Sequence, residues 1–188
     1  MPEDESAVDG DVIEVLMQDH RDLERAFDDI ERGGLSPRQR RDLIDYVITE
    51  LVRHAVAAEQ HVYPIVRASA EAGDDLADRA IAAHNRSEEI MKQLEDLAPD
   101  DPEFDRLVAT LSQRFGRHVT TAEGELFPRL RQACSLVQLR GLGYKVSTAK
   151  SSAPTRPHPT SPDKPPANLL VDPGVGLVDR LRDALAGD

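Results

Sequence analysis

Apolar side chains recur at alternating spacings of three and four residues along four long stretches of the chain, a pattern typical of amphipathic helices that share a core. The first predicted helix covers about residues 11–32, and its core-facing positions are Ile13, Leu16, His20, Leu23, Phe27 and Ile30. Gly33 and Gly34 end this helix. Ser36 and Pro37 begin the next one, since serine is a favoured N-cap and proline a favoured first helical residue.

The same periodicity predicts three more helices. They cover about residues 37–70, 75–97 and 102–134, and the connections between them are short. Pro64 and Pro128 lie inside the second and fourth of these helices, where a proline removes a backbone hydrogen bond and bends the helix. Four long helices with short connections favour an all-α fold, an up-down-up-down four-helix bundle over residues 11–134.

After Cys134 the periodicity weakens, and residues 135–188 are predicted to form a proline-rich C-terminal extension. A short helix is expected over 135–149, although two glycines in it argue against a stable helix. Residues 150–174 contain seven prolines, which favour an extended strap or linker. Residues 175–186 have the spacing of a small amphipathic helix, and a disordered tail is the alternative interpretation of the same composition.

The chain also repeats itself with a constant offset of 64 residues. The polar and aromatic pairs related by this offset are His20 and His84, Glu24 and Glu88, His54 and His118, Glu59 and Glu123, Tyr63 and Phe127, and Pro64 and Pro128. Apolar positions follow the same offset. The repeat indicates a duplicated helix pair that carries one core-facing histidine on each helix.

Charge and composition limit the classes of partner. The net charge of −12 disfavours binding to the phosphate backbone of nucleic acids, which relies on clustered lysine and arginine. No apolar run approaches the roughly 20 residues that cross a bilayer, and the acidic N-terminal stretch differs from a signal peptide. Cys134 is the single cysteine, which fits a reducing compartment. The sequence therefore predicts a cytoplasmic protein with neither nucleic acid nor membrane as its partner.

Histidine is the residue type that carries the candidate chemistry. Five of the six histidines fall on predicted core-facing positions: His20, His54, His61, His84 and His118. A buried imidazole needs a partner for each ring nitrogen, and each unpaired buried polar group costs about 1 to 3 kcal/mol. Five such rings in one small core favour a bound cation over a purely structural role. Imidazole is a common ligand of iron, zinc, copper and nickel.

These residues resemble the hemerythrin-like (HHE) domains. The resemblance covers about residues 11–134 and rests on the histidine of the first helix, His54 with Tyr63-Pro64, the histidine of the third helix, and His118 with Phe127-Pro128. The tail containing Arg156-Pro157-His158-Pro159 resembles a bacterial subgroup of such proteins. The resemblance implies a four-helix bundle with a non-haem di-iron centre, whose iron ligands would include His20, His54, His84 and His118.

The chain departs from that family at the bridging carboxylates. The family pattern on the second and fourth helices is His-x-x-x-Glu, and the glutamate positions here are Ala58 and Ala122. Glu59 and Glu123 follow the histidines by five residues, about 140° around a regular helix, and would miss the site. A π-bulge near each proline would swing both glutamates inward as ligands.

Two further sources of carboxylate ligands remain open at this point. His61 and Glu125 lie seven residues beyond the histidines and would form a displaced metal site two turns away. Glu24 and Glu88 complete His-x-x-x-Glu on the first and third helices, although exposed helix charges are the favoured interpretation of both. Tyr63 is interpreted as core packing rather than as an extra ligand, and Cys134 likewise is not expected to bind the metal.

Loss of two anionic bridges favours one metal ion, or a softer divalent ion, over a di-ferric pair. The sequence and the resemblance together predict a metal-binding protein, with one or two iron ions as the expected cofactor. Its expected role is in oxygen, redox or iron response, with oxygen, peroxide or nitric oxide as the small ligand. The alternatives are a metal-free helical interaction module and a non-haem iron enzyme that decomposes peroxide. The sequence names no protein partner.

Overall fold

The computed structural model describes residues 10–69 and 73–156, and every regular element in these ranges is a helix. The α-helices are α1 Val12–Arg32, α2 Pro37–Ala57, α3 Tyr63–Ser69, α4 Gly73–Asp96, α5 Pro102–Thr121, α6 Phe127–Ala133 and α7 Leu136–Ser152. Two π-helical segments, π1 (Ala58–Val62) and π2 (Ala122–Leu126), join α2 to α3 and α5 to α6. The four rods α1, α2–π1–α3, α4 and α5–π2–α6 form the bundle, so the predicted all-α four-helix fold is confirmed.

Side-chain caps explain where the first two rods begin. Asp11 accepts hydrogen bonds from the backbone of Ile13 and Glu14, and the Glu14 carboxylate accepts one from the Asp11 backbone N–H. Ser36 and Gln39 form the same reciprocal box at the start of α2. Such boxes satisfy N–H groups that lack partners inside the helix. The predicted starts of these helices therefore agree with the structure.

The π segments lie just ahead of the two prolines on which the sequence predicted bends. Pro64 and Pro128 are the second residues of α3 and α6, immediately beyond π1 and π2. A proline has no N–H and leaves the carbonyl four residues earlier without its usual helical donor. A π turn takes one extra residue into the helix at this point. The duplicated prolines thus coincide with a duplicated irregularity.

The core is divided into two hydrophobic clusters by a layer of histidines. Leu16, Ala58 and Leu126 belong to one cluster, together with the apolar side of α7. Leu23, Leu51 and Phe115 belong to the other. In each rod the histidine lies between residues of the two clusters, as in α1, where His20 separates Leu16 from Leu23. A polar layer therefore crosses the middle of the bundle.

Helix α7 packs against α1 and α2 through Leu139, Leu142, Val146 and Ala149. It extends beyond the short helix expected over 135–149. Gly143 explains how a glycine-containing segment becomes a packed helix, since a Cβ there would lie 2.9 Å from the carbonyl oxygen of Gly10. The missing side chain allows α7 to approach the start of α1 closely.

The division of the chain at residue 134 stays a prediction. Most of the proline-rich stretch 150–174, the tail around His158 and the predicted helix 175–186 lie outside the described residues. Within the part of the chain that the structure describes, no helix combines the length and the apolar character needed to span a membrane.

Candidate metal centre

Each rod contributes one histidine to the layer. His20 comes from α1, His54 from α2, His84 from α4 and His118 from α5. Ring centroids of neighbouring histidines lie 5.1 to 5.4 Å apart around the layer, and those of His54 and His84 are 6.3 Å apart. His20 is fully buried, His54 and His84 are buried, and His118 is partly exposed. The structure thus brings the four predicted ligands to one level inside the bundle.

Three of these rings donate a hydrogen bond to a carboxylate. The pairs are His20 Nδ1 with Glu123 Oε1 at 2.9 Å, His54 Nδ1 with Asp19 Oδ2 at 3.2 Å, and His84 Nδ1 with Glu59 Oε1 at 2.9 Å. An ionised carboxylate only accepts hydrogen bonds, so each ring carries its proton on Nδ1. The Nε2 atom of each neutral ring is then left with a lone pair. This is the arrangement by which carboxylates orient metal-binding histidines in proteins.

The π segments are the reason that two of these carboxylates reach the layer. Glu59 and Glu123 lie within π1 and π2, five residues after His54 and His118. The expectation from a regular helix, that both would miss the site, does not hold because the π turn accommodates one extra residue. The predicted π-bulges are therefore present. The two carboxylates accept hydrogen bonds from histidines of neighbouring rods, and their role as metal ligands stays a prediction.

The Nε2 atoms of the four rings have different surroundings. His84 Nε2 accepts a hydrogen bond from the Tyr63 hydroxyl at 3.2 Å. His54 Nε2 lies 3.3 Å from His118 Nε2. His20 Nε2 is buried and has no hydrogen-bond partner among the described residues. With the His54 proton on Nδ1, its Nε2 accepts a hydrogen bond from His118 Nε2–H, and among these four rings only the Nε2 of His20 is left without a partner. A cation bound by His20, His54 and His118 would replace the hydrogen bond between the last two.

Two breaks in the internal repeat cause this asymmetry. The repeat relates Tyr63 to Phe127, which stacks on His20 with ring centroids 5.7 Å apart but has no hydroxyl to donate. It also relates Asp19 to Ala83, so the carboxylate that holds His54 has no counterpart at the corresponding position beside His118. The duplicated frame is nearly symmetric, but the hydrogen bonds within it are not.

The spacing of the ring nitrogens of His20, His54 and His118 suits a single metal ion. His20, His54 and His118 each offer one ligand atom, and these atoms all lie within 4.8 Å of one another. Two nitrogens bound tetrahedrally to one ion at about 2.0 to 2.1 Å are separated by about 3.3 Å. The separation of 3.3 Å between the Nε2 atoms of His54 and His118 matches this value. The orphaned Nε2 of His20 is a buried lone pair that a cation would satisfy.

Burial keeps these imidazoles neutral, which is the form that binds metals. Burial lowers the pKa of His20 to about 4, with a further contribution from a positive charge on His54, although Glu123 opposes the shift. Burial likewise lowers the pKa of His54, against the opposing effect of Asp19. Although the residue is partly exposed, the surrounding protein desolvates the His118 ring, and this desolvation, with positive charge on the other three histidines, holds its pKa well below the usual value.

The carboxylates beside these rings are held in their charged form. Burial raises the pKa of Asp19, but hydrogen bonds and charges from His54 and Lys150 outweigh it and lower the pKa below the ordinary value. The pKa of Glu123 is also raised by burial, and its contacts with His20 and Arg21 lower it overall. Arg21 donates to Glu123 Oε2 at 2.9 Å, so this carboxylate joins a guanidinium to the His20 ring.

Asp19 and Lys150 are the residues of this centre that the sequence did not indicate. Lys150, near the end of α7, forms an ion pair with Asp19 and another with Glu50 at 3.6 Å. Asp19 directly precedes His20 in the sequence, and this acidic neighbour is the signal that could have indicated it. Lys150 lies in a segment without clear periodicity, and its place beside Asp19 depends on the docking of α7.

Several predicted site residues lie outside the histidine layer. The expectation that Glu125 lies on a core-facing position is wrong: its side chain is 50% exposed and pairs with Arg79 at 3.4 Å. His61 is half-buried within π1, where burial and the positive charge of Lys145 on α7 lower its pKa, and its role as a metal ligand stays a prediction. A displaced site built from these two residues has no support in this geometry. Cys134 is half-buried and packs at the edge of a hydrophobic cluster.

A small cavity adjoins the layer between α2, α4 and α5. Its volume is about 30 Å³, and His54, His84 and His118 contribute to its lining. This volume is about that of one water molecule in the liquid. The lining is mostly apolar, with Leu51 and Phe115 on one side. There is thus room for one small molecule beside the histidines.

Comparisons with known proteins agree with this geometry. The sequence model of the family described as Hemerythrin HHE cation binding domain matches residues 11–130. The chain is 23% identical over 175 residues to an uncharacterized hemerythrin-like protein of Schizosaccharomyces pombe, covering 93% of this chain and 86% of that protein. It is 25% identical over 150 residues to a DNA nickase of Nostoc, covering 79% of this chain but only 41% of that relative.

A solved structure has the same fold. The crystal structure of a Hemerythrin HHE cation binding domain-containing protein from Mycobacterium kansasii, described as an Rv2633c homolog, matches with a TM-score of 0.66. The alignment covers 76% of this chain and 86% of that one, at 19% sequence identity. At this identity the likeness concerns the fold of the bundle.

Proposed function

The chain belongs to the hemerythrin HHE cation-binding domain family, and we propose that it binds one iron ion through His20, His54 and His118. His84 is the fourth histidine of the centre, and its Nε2 accepts the hydrogen bond of the Tyr63 hydroxyl. The proposed role is in oxygen, redox or iron response. Another divalent metal is the alternative for the same three nitrogens, because imidazole also binds zinc, copper and nickel.

The buried Nε2 of His20 is the observation that carries this proposal. Its ring is fully buried, and its Nδ1–H donates a hydrogen bond to Glu123, so Nε2 is an acceptor without a donor among the described residues. Leaving such an atom unpaired costs about 1 to 3 kcal/mol. His84, its counterpart in the repeat, avoids this cost through Tyr63. A cation bound between His20, His54 and His118 removes the cost without any change in the fold.

One ion is favoured over two because the carboxylates are already used. Glu59 and Glu123, the candidates for bridging two ions, accept the Nδ1–H groups of His84 and His20. Ala58 and Ala122, at the positions where the family pattern has glutamate, are buried and supply no ligand atom. A set of neutral imidazoles does not offset the charge of two ferric ions, but it suits one divalent ion.

The residues around the ion have separable tasks. Asp19, Glu59 and Glu123 hold three rings in the tautomer that presents Nε2 to the centre. Apolar side chains of both clusters exclude bulk water from the layer. A redox-active ion with an open coordination position supplies the chemistry toward oxygen, peroxide or nitric oxide. The cavity of about 30 Å³ beside His54 and His118 offers space for a small ligand next to the ion.

Metal analysis of untagged protein tests this proposal. Protein produced with added iron and assayed by plasma mass spectrometry is expected to contain close to one ion per chain. Single replacements His20→Ala, His54→Ala and His118→Ala should each reduce the content strongly while circular dichroism shows the helices intact. His61→Ala is the matched control, since that ring lies outside the layer, and it should retain the metal.

The rival function is a helical interaction module without a metal. Wild-type protein that stays largely metal-free after iron supplementation, and after exposure to zinc or copper, would support this rival. Two ions per chain would contradict the single-ion proposal and favour a di-iron centre in which Glu59 and Glu123 are metal ligands. A proportional loss of metal in His61→Ala would contradict the assignment of the site to the histidine layer.

A further inference from the structure

A surface cleft between α4 and α5 is lined by four arginines. Arg79 and Arg86 come from α4, and Arg114 and Arg117 come from α5. The cleft has a volume of about 220 Å³, and His118 and Ala122 contribute to its inner wall. The chain has a net charge of −12, so four guanidinium groups around one cleft form a positively charged region on an otherwise acidic protein.

The positive charge of this arginine cleft is largely uncompensated. Arg79 has a contact with the half-exposed Glu125 at 3.4 Å. Within residues 10–69 and 73–156, no carboxylate forms an ion pair with Arg86, Arg114 or Arg117, in contrast to the paired arginines Arg21 and Arg67. A cleft lined by charges of one sign raises the local concentration of ions of the opposite sign, so the arrangement favours an external anion.

Arg114, which lines the cleft, carries a polar atom without a hydrogen-bond partner among the described residues. This atom is Nε, and it is buried. A buried donor without an acceptor costs about 1 to 3 kcal/mol, so this side chain is incompletely satisfied by the protein, and it lines the cleft. Guanidinium groups bind oxyanions through paired N–H donors whose spacing matches two oxygens of the anion.

The cleft is continuous with the histidine layer. Ala83, Arg114 and His118 line both the arginine cleft and the cavity of about 30 Å³ beside the histidines. Ala122 lies on the cleft wall, and a glutamate at this position would place a negative charge there. Ala122 adds no negative charge to the cleft wall.

We propose that the arginine cleft binds a small oxyanion, with phosphate as the representative, next to His118. Its volume lies below the roughly 300 to 1,000 Å³ of sites for drug-sized ligands, which favours a compact anion. A nucleic-acid strand is disfavoured by the negative net charge outside the cleft. This binding goes beyond metal binding and does not require it, because none of the four guanidinium groups is a metal ligand.

Phosphate binding to the metal-free protein is the direct test. After chelator treatment, wild-type protein in a low-salt buffer without oxyanions is titrated with inorganic phosphate and followed by calorimetry and by amide NMR. Saturable binding is expected, with shifts centred on residues 114–118, and it should weaken as the salt concentration rises. Because the protein is metal-free in this titration, phosphate binding is tested independently of metal binding at the histidine layer.

Variants of individual arginines locate the site. Arg117→Gln, at an exposed position that folding tolerates, should weaken phosphate binding about tenfold, as should Arg114→Gln. Arg114→Lys keeps the charge but loses the paired donors and should fall between Arg114→Gln and wild type. Arg140→Gln is the matched control, since it removes one exposed positive charge on α7, which packs against α1 and α2.

Three results would overturn the proposal. One is the absence of phosphate binding to the wild type at millimolar concentration. Another is an equal loss of affinity in Arg140→Gln and Arg117→Gln, which would mean that net charge alone attracts the anion. The third is binding of a DNA oligonucleotide that excess phosphate does not displace, which would assign the cleft to nucleic acid.

Discussion

The Tyr63 hydroxyl donates a hydrogen bond to His84 Nε2 at 3.2 Å, whereas Phe127, the counterpart of Tyr63 in the internal repeat, stacks on His20 without one. The ring centroids of Tyr63 and His84 are 5.7 Å apart, the same distance as those of Phe127 and His20. At this pair of positions, a single oxygen atom distinguishes the two halves of the repeat. It decides which histidine is satisfied by the protein and which is left for a cation.

Replacing Phe127 by tyrosine should weaken metal binding at the histidine layer. The added hydroxyl would reach His20 Nε2 as Tyr63 reaches His84, and it would compete with the metal for the same lone pair. We expect metal affinity to fall about tenfold and the metal-free protein to gain about 1 kcal/mol in the free energy of unfolding. Competition with a chelator and urea unfolding measure the two effects. Tighter metal binding with a new tyrosinate absorption band would contradict this prediction.

Replacing Tyr63 by phenylalanine should have the opposite effect on His84. Its Nε2 would lose its donor and become a fourth available nitrogen in the layer. The metal-free protein should lose about 1 to 3 kcal/mol of stability, because a buried acceptor becomes unpaired. Added metal should recover part of this loss, which differential scanning calorimetry with and without iron can show. An equal loss in both conditions would mean that His84 does not face the ion.

Asp19 should support the site without binding the ion. Asp19→Ala removes the acceptor of the His54 Nδ1 proton, and loss of such a partner typically weakens metal binding by about 10- to 100-fold. Asp19→Asn keeps an oxygen that can accept the same proton and should lose less. Asp28→Asn, at an exposed position of the same helix, is the control for charge. Metal competition assays on these variants distinguish a positioning role, for which Asn restores most of the affinity, from a direct ligand role.

Acid should destabilise the metal-free protein over a defined pH range. The pKa of His20 in the folded chain is about 4, while its ordinary value is 6.5, and the pKa values of His54 and His118 are also lowered. Between these two pH values the unfolded chain binds protons that the folded chain does not. The free energy of unfolding should therefore decrease as the pH falls from 6.5 toward 4.

Urea unfolding of chelator-treated protein at several pH values from 7 to 4.5 measures this decrease. His20→Gln, which removes one of the buried rings, should show a shallower dependence on pH. The same slope in His20→Gln and wild type would indicate that acid acts through other groups. Bound metal should delay the decrease to lower pH, since protons and the ion compete for the same nitrogens.

The helices of the bundle and their buried faces could be predicted because they depend on residues close together in the sequence. Caps at Asp11 and Ser36 mark helix starts directly, and the spacing of apolar residues identifies the buried side of each rod. The same spacing misplaced Glu125, because a pattern that assumes 3.6 residues per turn loses its phase across a π segment. His61 lies within π1 and is half-buried, outside the layer of the four other histidines.

The sequence by itself determined the all-α bundle, its duplication and the four histidines at one level, since each depends on periodicity and repetition along the chain. Only the tertiary structure decided which nitrogens remain open. That outcome depends on contacts between rods: Asp19 on His54, Glu123 on His20, and Tyr63 on His84. Such contacts join residues far apart in sequence, and hydrogen bonds need donor and acceptor within a few tenths of an ångström, so no spacing rule along one helix can predict them.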